Sequence, residues 1–263
     1  MSNFENEAAL CKAFTDWLGE MSGRYHMGHK VPVWTAYAET AGWDILLVAD
    51  DGTQVGVQAK MQFNMKLLAQ SVGGAQAWNA WSDIGPDFRA ILVPKPSSEH
   101  EAVCAALGLD YIHPVGYGGG FDFELQTDVA RASSWKSRRY WCPGQREKLP
   151  EFVPDVVAGA PAPMQLTPWK VQALRLMALL ELRGYVTRQD FKTQKLDHRA
   201  WTQGGRAWLA PGAEPGQFVR GSGANFDRHH PIVYAQVLEE MRATFQPPVP
   251  AVPAQGAMFT EAA

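Results

Sequence analysis

Residues 43–61 read WDILLVADDGTQVGVQAKM. Two apolar runs flank Asp50-Asp51-Gly52, a turn signal, so the stretch reads as a pair of antiparallel strands. With a three-residue loop, Ala49 pairs with Thr53 and Asp44 stands opposite Gln58; a two-residue loop would spoil that register. Side chains alternate along a strand, which puts Gln58 and Lys60 on one face and Val57 and Ala59 on the other. A lysine on a small, apolar strand is costly unless it has a partner or a task.

Upstream, ENEAALCKAFTDWLGEM places Leu10, Phe14 and Trp17 on one stripe of a helix. Glu7 lies on the same stripe, and an acid there is costly unless it is paired or binds a cation. A strand is expected at KVPVWTAY. Downstream come a helix through NMKLLAQSVGGAQAWNAW, a strand at FRAILVPK, a helix at SSEHEAVCAALGL and a strand at YIHPVG. The resulting α-β-β-β-α-β-α-β order predicts an α/β domain over residues 1–142, with a mixed sheet flanked by helices.

Residues 143–166, rich in Pro, Gly and Ala and without period, read as a linker, and the Pro-rich residues 246–263 as a disordered tail. Between them, residues 167–245 read as a small helical domain. Thr167-Pro168 starts its first helix, Thr187 and Asp190 form a capping-box-like start for a second, and LDHRAWTQ forms a third. RAWLA and QFVRG can then pair as a hairpin. Three helices and a hairpin fit a winged helix, and a small helical interaction domain fits equally well.

The 263-residue chain has a formal net charge of −3, unevenly spread. Residues 1–150 hold 13 Lys and Arg against 17 Asp and Glu, whereas residues 168–245 hold 11 against 7. An acidic half joined to a basic half suits a cation site beside a surface for a polyanion. The three cysteines are scattered and odd in number, which suits reduced thiols. No apolar run of about 18 residues and no secretory pattern at the amino terminus are found, so a cytoplasmic protein without a membrane span is expected.

The order helix-Glu7, Asp44, turn, Gln58-Ala59-Lys60 resembles the PD-(D/E)xK nuclease superfamily, in the Q-x-K form carried by some Mrr-like members. The resemblance covers roughly residues 4 to 115. It implies a restriction endonuclease-like fold and a DNA endonuclease dependent on Mg2+, with Mn2+ as a substitute. Asp44, Gln58 and Glu7 are then the metal ligands and Lys60 the catalytic lysine. Trp43 stands where the signature has proline, and Gln58 where it has an acid. The alternative is a nuclease-like DNA-binding or regulatory protein without activity. Residue by residue, the bland readings are a strand-turn cap for Asp44, a solvated face for Gln58 and Lys60, and a first-turn acid for Glu7.

Other candidates concern DNA as partner. Lys66 and Gln70 lie one helical turn apart after the site and can face a phosphate. WKSRRYWCPGQREK interleaves Arg138, Arg139 and Arg146 with Trp135, Tyr140 and Trp141, a pattern that suits phosphates and stacked bases or simply a basic edge. In the second domain Arg199 and Gln203 are base-edge candidates, and Lys192, Lys195, Arg206 and Arg220 backbone contacts. Cleavage of both strands of a duplex implies two active sites and so a homodimer. His26, His29, His229 and His230 lack partners for a zinc site or triad and read as turn or surface residues, and GYGGG (116–120) reads as a flexible loop.

Overall fold

The computed structural model describes residues 4–26, 29–73, 84–116, 120–122, 143–159, 165–203, 207–221 and 226–245. It divides into two compact units, one of residues 1–168 with 228–233, the other of residues 169–227 with 234–263.

The first unit opens with α1 (Glu7–Met21), begun by Asn6, whose side chain accepts from the Ala9 N–H. A short hairpin, β1 (Tyr25–His26) and β2 (His29–Lys30), precedes the main sheet. That sheet runs β3 (Trp34–Thr40), β4 (Trp43–Ala49), β5 (Gln54–Ala59), β6 (Phe88–Leu92), β7 (Asp110–Val115) and β8 (Gly120–Asp122), in this spatial order. The first three strands are antiparallel, β5, β6 and β7 are parallel, and β8 returns antiparallel. Helices α2 (Met65–Gly73) and α3 (Ser98–Ala106) make the parallel crossovers possible.

Alternation along β6 explains the layers. Phe88, Ala90 and Leu92 join Leu10, Phe14 and Trp17 of α1 in one core, while Ile91 joins Leu67, Leu68 and Cys104 in another. The central strands are therefore buried on both faces, as expected of a mixed sheet covered by helices. Gly56, in the middle of β5, has a steric reason: a β-carbon there would lie 2.4 Å from Cδ2 of Trp43, whose indole occupies that space. The loop at residues 50–52 has three residues, as expected, with Ala49 N–H donating to Thr53 O at 2.9 Å.

Residues 143–159 correct the linker reading. Glu147 exchanges two hydrogen bonds with the Gln54 side chain, both 2.9 Å, and Arg146 pairs with the buried Asp87 at 2.8 Å. Ala158 lies in the α1 core. Proline-rich chain has no repeating pattern to reveal such side-chain contacts, yet its backbone groups still find partners. Arg146 is thereby a structural residue. His230 is also corrected: it is fully buried and bonded to Asp155. Gly120 of GYGGG belongs to β8. The proposed disordered tail lies outside the described residues.

The second unit contains α4 (Pro168–Arg183) beyond its first residue, β9 (Val186–Thr187), α5 (Arg188–Thr193), α6 (Arg199–Thr202), β10 (Leu209–Pro211), β11 (Gln217–Arg220) and the first two residues of α7 (Phe226–His229). Helix α8 (Pro231–Thr244) follows, its first three residues belonging to the first unit. The strands pair antiparallel in the order β10-β11-β9. Leu176, Met177, Leu180, Phe191 and Trp201 form this unit's core. Thr187 and Asp190 make the expected capping box. No helix among the described residues is long and apolar enough to cross a membrane.

Candidate active site

The β4–β5 ladder pairs Ile45 with Val57, so one step further Asp44 stands across from Gln58, the expected register. There the ladder ends, and Asp44 Oδ2 accepts the Ala59 N–H at 2.8 Å. The carboxylate thus takes a backbone donor at the point where the strands separate. Lys60 lies just beyond β5, with its N–H held by Leu92 O at 3.0 Å. Its Nζ donates to Oε1 and Oε2 of Glu7 at 2.7 and 2.8 Å. The first turn of α1 and the end of β5 meet through this pair, and each partner is 26 % exposed.

Asp44 is electrostatically part of the same cluster. Burial pushes its carboxyl up from 3.8 to about 6, against the Ala59 hydrogen bond and the charge of Lys60, with Glu7 and Glu39 adding to the rise. Cys11, one turn after Glu7 on α1, is fully buried. Burial raises its thiol, and the charges of Asp44, Glu7 and Glu39 raise it further.

Gln58 behaves differently from its neighbours. It is buried, and its Nε2 donates to Gly42 O at 2.8 Å, which leaves the amide oxygen as the acceptor end. The structure therefore brings Asp44, Glu7 and Lys60 together, while the Gln58 amide nitrogen is committed to the β3–β4 turn. Among the described residues no group of three or more His, Cys, Asp and Glu side chains is arranged to hold a metal ion.

Glu39 is the acid that the sequence reading missed. Ala38 pairs with Ile45 and Thr40 with Trp43, so Glu39 stands across β4 from Asp44. Its φ of 50° marks a left-handed residue inside a strand, rare outside glycine and asparagine. Its carboxylate accepts from the Gly159 N–H at 2.6 Å and from Gln165 Nε2 at 3.0 Å. No motif spacing announces it, because β3 was expected to end at Tyr37.

Of the proposed DNA contacts, Lys66 is exposed on α2, and Gln70 on the same helix has a buried Oε1 without a hydrogen-bond partner among the described residues. Lys192, Lys195, Arg199 and Gln203 are exposed on the second unit. Helix α6 is shorter than LDHRAWTQ suggested; it buries Trp201 and leaves Arg199 outside. Arg220 is paired with Asp227 at 2.8 Å. Arg138, Arg139 and Arg206 lie outside the described residues.

Comparison of the chain with protein-family models, with curated proteins and with solved structures finds no match.

Proposed function

We propose that the first unit is a nuclease domain of the restriction endonuclease-like type, hydrolysing DNA phosphodiester bonds with Mg2+, and that the second is a winged-helix domain that holds the DNA. The observation that carries this reading is Lys60: an ammonium at a strand end, oriented by Glu7, beside a desolvated carboxylate. The donor set suits magnesium, which needs only one or two protein carboxylates and keeps several waters. Asp44 and the Gln58 amide oxygen would hold it, with Glu7 sharing its charge with Lys60. Bound magnesium supplies polarisation of the phosphate and a more acidic water.

The chain's own residues do the rest. Two of the three Lys60 ammonium protons serve Glu7, which leaves one for a non-bridging phosphate oxygen as negative charge builds in the transition state. Glu7 keeps that ammonium in place. Ala59 N–H fixes one Asp44 oxygen and leaves the other free to face the site. In the second unit, the order α4, β9, α5, α6 and then the β10–β11 hairpin supports the winged-helix reading, with Arg199 and Gln203 toward DNA.

Titrating Mg2+ and Mn2+ against the full chain with duplex, branched and single-stranded DNA tests the reading. Metal-dependent cleavage lost in Lys60→Ala is expected; cleavage undiminished in that variant refutes the assignment. The committed Gln58 amide favours a second reading, a DNA-binding protein that retains this arrangement without the chemistry. Salt-dependent DNA binding with no cleavage under either metal would establish it.

A further inference from the structure

Residues 155–159 join two buried anchors. At one end, the Asp155 side chain is 2 % exposed and His230 is fully buried, with His230 Nδ1 2.9 Å from Asp155 Oδ1. The N–H groups of Ile232 and Val233 donate to Asp155 Oδ2 at 2.8 and 3.2 Å. These are first-turn amides of α8, which otherwise need a side-chain acceptor from the residue before the helix. That residue is His230, itself turned to Asp155, so the cap comes from 77 positions away.

At the other end, Val156 packs on the α1 core and Ala158 is within it. Gly159 then meets the active-site elements from two sides. Its N–H donates to Glu39 beside Asp44, and a β-carbon on it would lie 3.2 Å from Ala8 N and 3.5 Å from the Glu7 carbonyl carbon. Its φ of 79° also favours glycine. Only five residues, at most about 17 Å of chain, cover the distance from Asp155 to Gly159.

We propose that Asp155 and Gly159 are positioning residues for the Glu7–Lys60 pair: the segment between them clamps the first turn of α1 and Glu39, and it holds only while Asp155 stays docked on His230. The consequence for catalysis rests on the nuclease reading; the clamp itself does not. Cys11, buried one turn along α1, reports on it directly.

The test uses the full chain with Asp155→Asn, Gly159→Ala and the double variant, with thiol labelling read separately at Cys11 and Cys104. Each single variant should speed Cys11 labelling relative to Cys104 by about tenfold or more, as expected for loss of one local closure. The double variant should be no faster than the faster single. Unchanged Cys11 labelling in Asp155→Asn, or effects that multiply in the double variant, overturns the proposal. Native-state hydrogen exchange of the unaltered protein provides a check independent of variant folding: the amides of Leu10 and Cys11 should share one opening with those of Ile232 and Val233, and separate openings overturn the clamp. Gly159→Ala should also lower kcat for DNA cleavage with little change in KM. Absence of cleavage by the unaltered protein, with coupled opening intact, counts against the nuclease reading alone.

Discussion

Each unit contains a partly buried carboxylate–cation pair, and the two are built to opposite ends. Arg183 and Asp190 lie seven residues apart in the second unit. Asp190 Oδ2 accepts from Arg183, from the Thr187 N–H at 2.6 Å and from the Thr187 hydroxyl at 2.8 Å. Arg183 in turn donates to Tyr185 O and lies 4.4 Å over the Tyr185 ring. Asp190 Oδ2 and Arg183 Nε are both spent on closing a helix start and on the neighbouring backbone. Glu7 and Lys60 lie 53 residues apart, bond to one another, and stand beside an Asp44 whose ionisation is opposed by burial. The first pair is bound into local backbone, whereas the second joins two distant elements beside an acid that burial keeps hard to ionise.

On the proposed nuclease reading, cleavage separates the two pairs most. Lys60→Ala should lower metal-dependent DNA cleavage by roughly 10²–10³-fold, the scale for removing one transition-state donor. Its stability should change by no more than about 1 kcal/mol, because the pair is partly solvated. Arg183→Ala should do the reverse, keeping the chemical step and weakening the second unit. Equal loss of kcat in both variants would erase the distinction.

Asp190→Ala comes next, removing a cap and an ion-pair partner together. A loss of about 2–3 kcal/mol is expected, seen as faster hydrogen exchange in α4 and α5 with the first unit's protection unchanged.

Asp44→Asn should act on the pH dependence. The folded carboxyl binds its proton more tightly than the unfolded one, so the stability that this gives is present below pH 3.8 and is lost as pH rises toward 6. The Asn variant lacks that loss and should be more stable than the unaltered protein by about 1–3 kcal/mol above pH 6, with the difference vanishing near pH 4. Urea unfolding across this range measures it. Mg2+ should narrow the gap by stabilising the unaltered protein alone; a gap insensitive to both pH and Mg2+ would detach Asp44 from the site. Glu7→Gln should give the smallest stability effect, about 0–1 kcal/mol in low-salt thermal unfolding.

The strands and helices of the first unit were legible because their periods are strong. Leu10, Phe14 and Trp17 follow a helical stripe, and the loop at residues 50–52 fixes the register that sets Asp44 across from Gln58. The capping box at Thr187 was equally readable, being a contact within one turn. Residues 143–159 were not, since their contacts with Gln54, Asp87 and Glu39 carry no period. His230 looked like a surface residue because its partner, Asp155, lies 75 positions away. Strand alternation alone would have kept Gln58 and Lys60 on one face. The strand instead ends at Ala59, and the two side chains find partners on different elements.

By itself the sequence determined which residues could meet: the hairpin register, the helical stripe bearing Glu7, and the presence of a lysine two places after Gln58. Those follow from backbone periods and turn chemistry, which act over a few residues. Only the tertiary structure decided which partner each polar group took. Glu7 closed on Lys60, Gln58 turned to Gly42, Glu39 took the backbone of Gly159, and Asp155 capped a distant helix. Buried polar groups must be satisfied, and at these positions every partner was brought within reach by packing rather than by proximity in the chain.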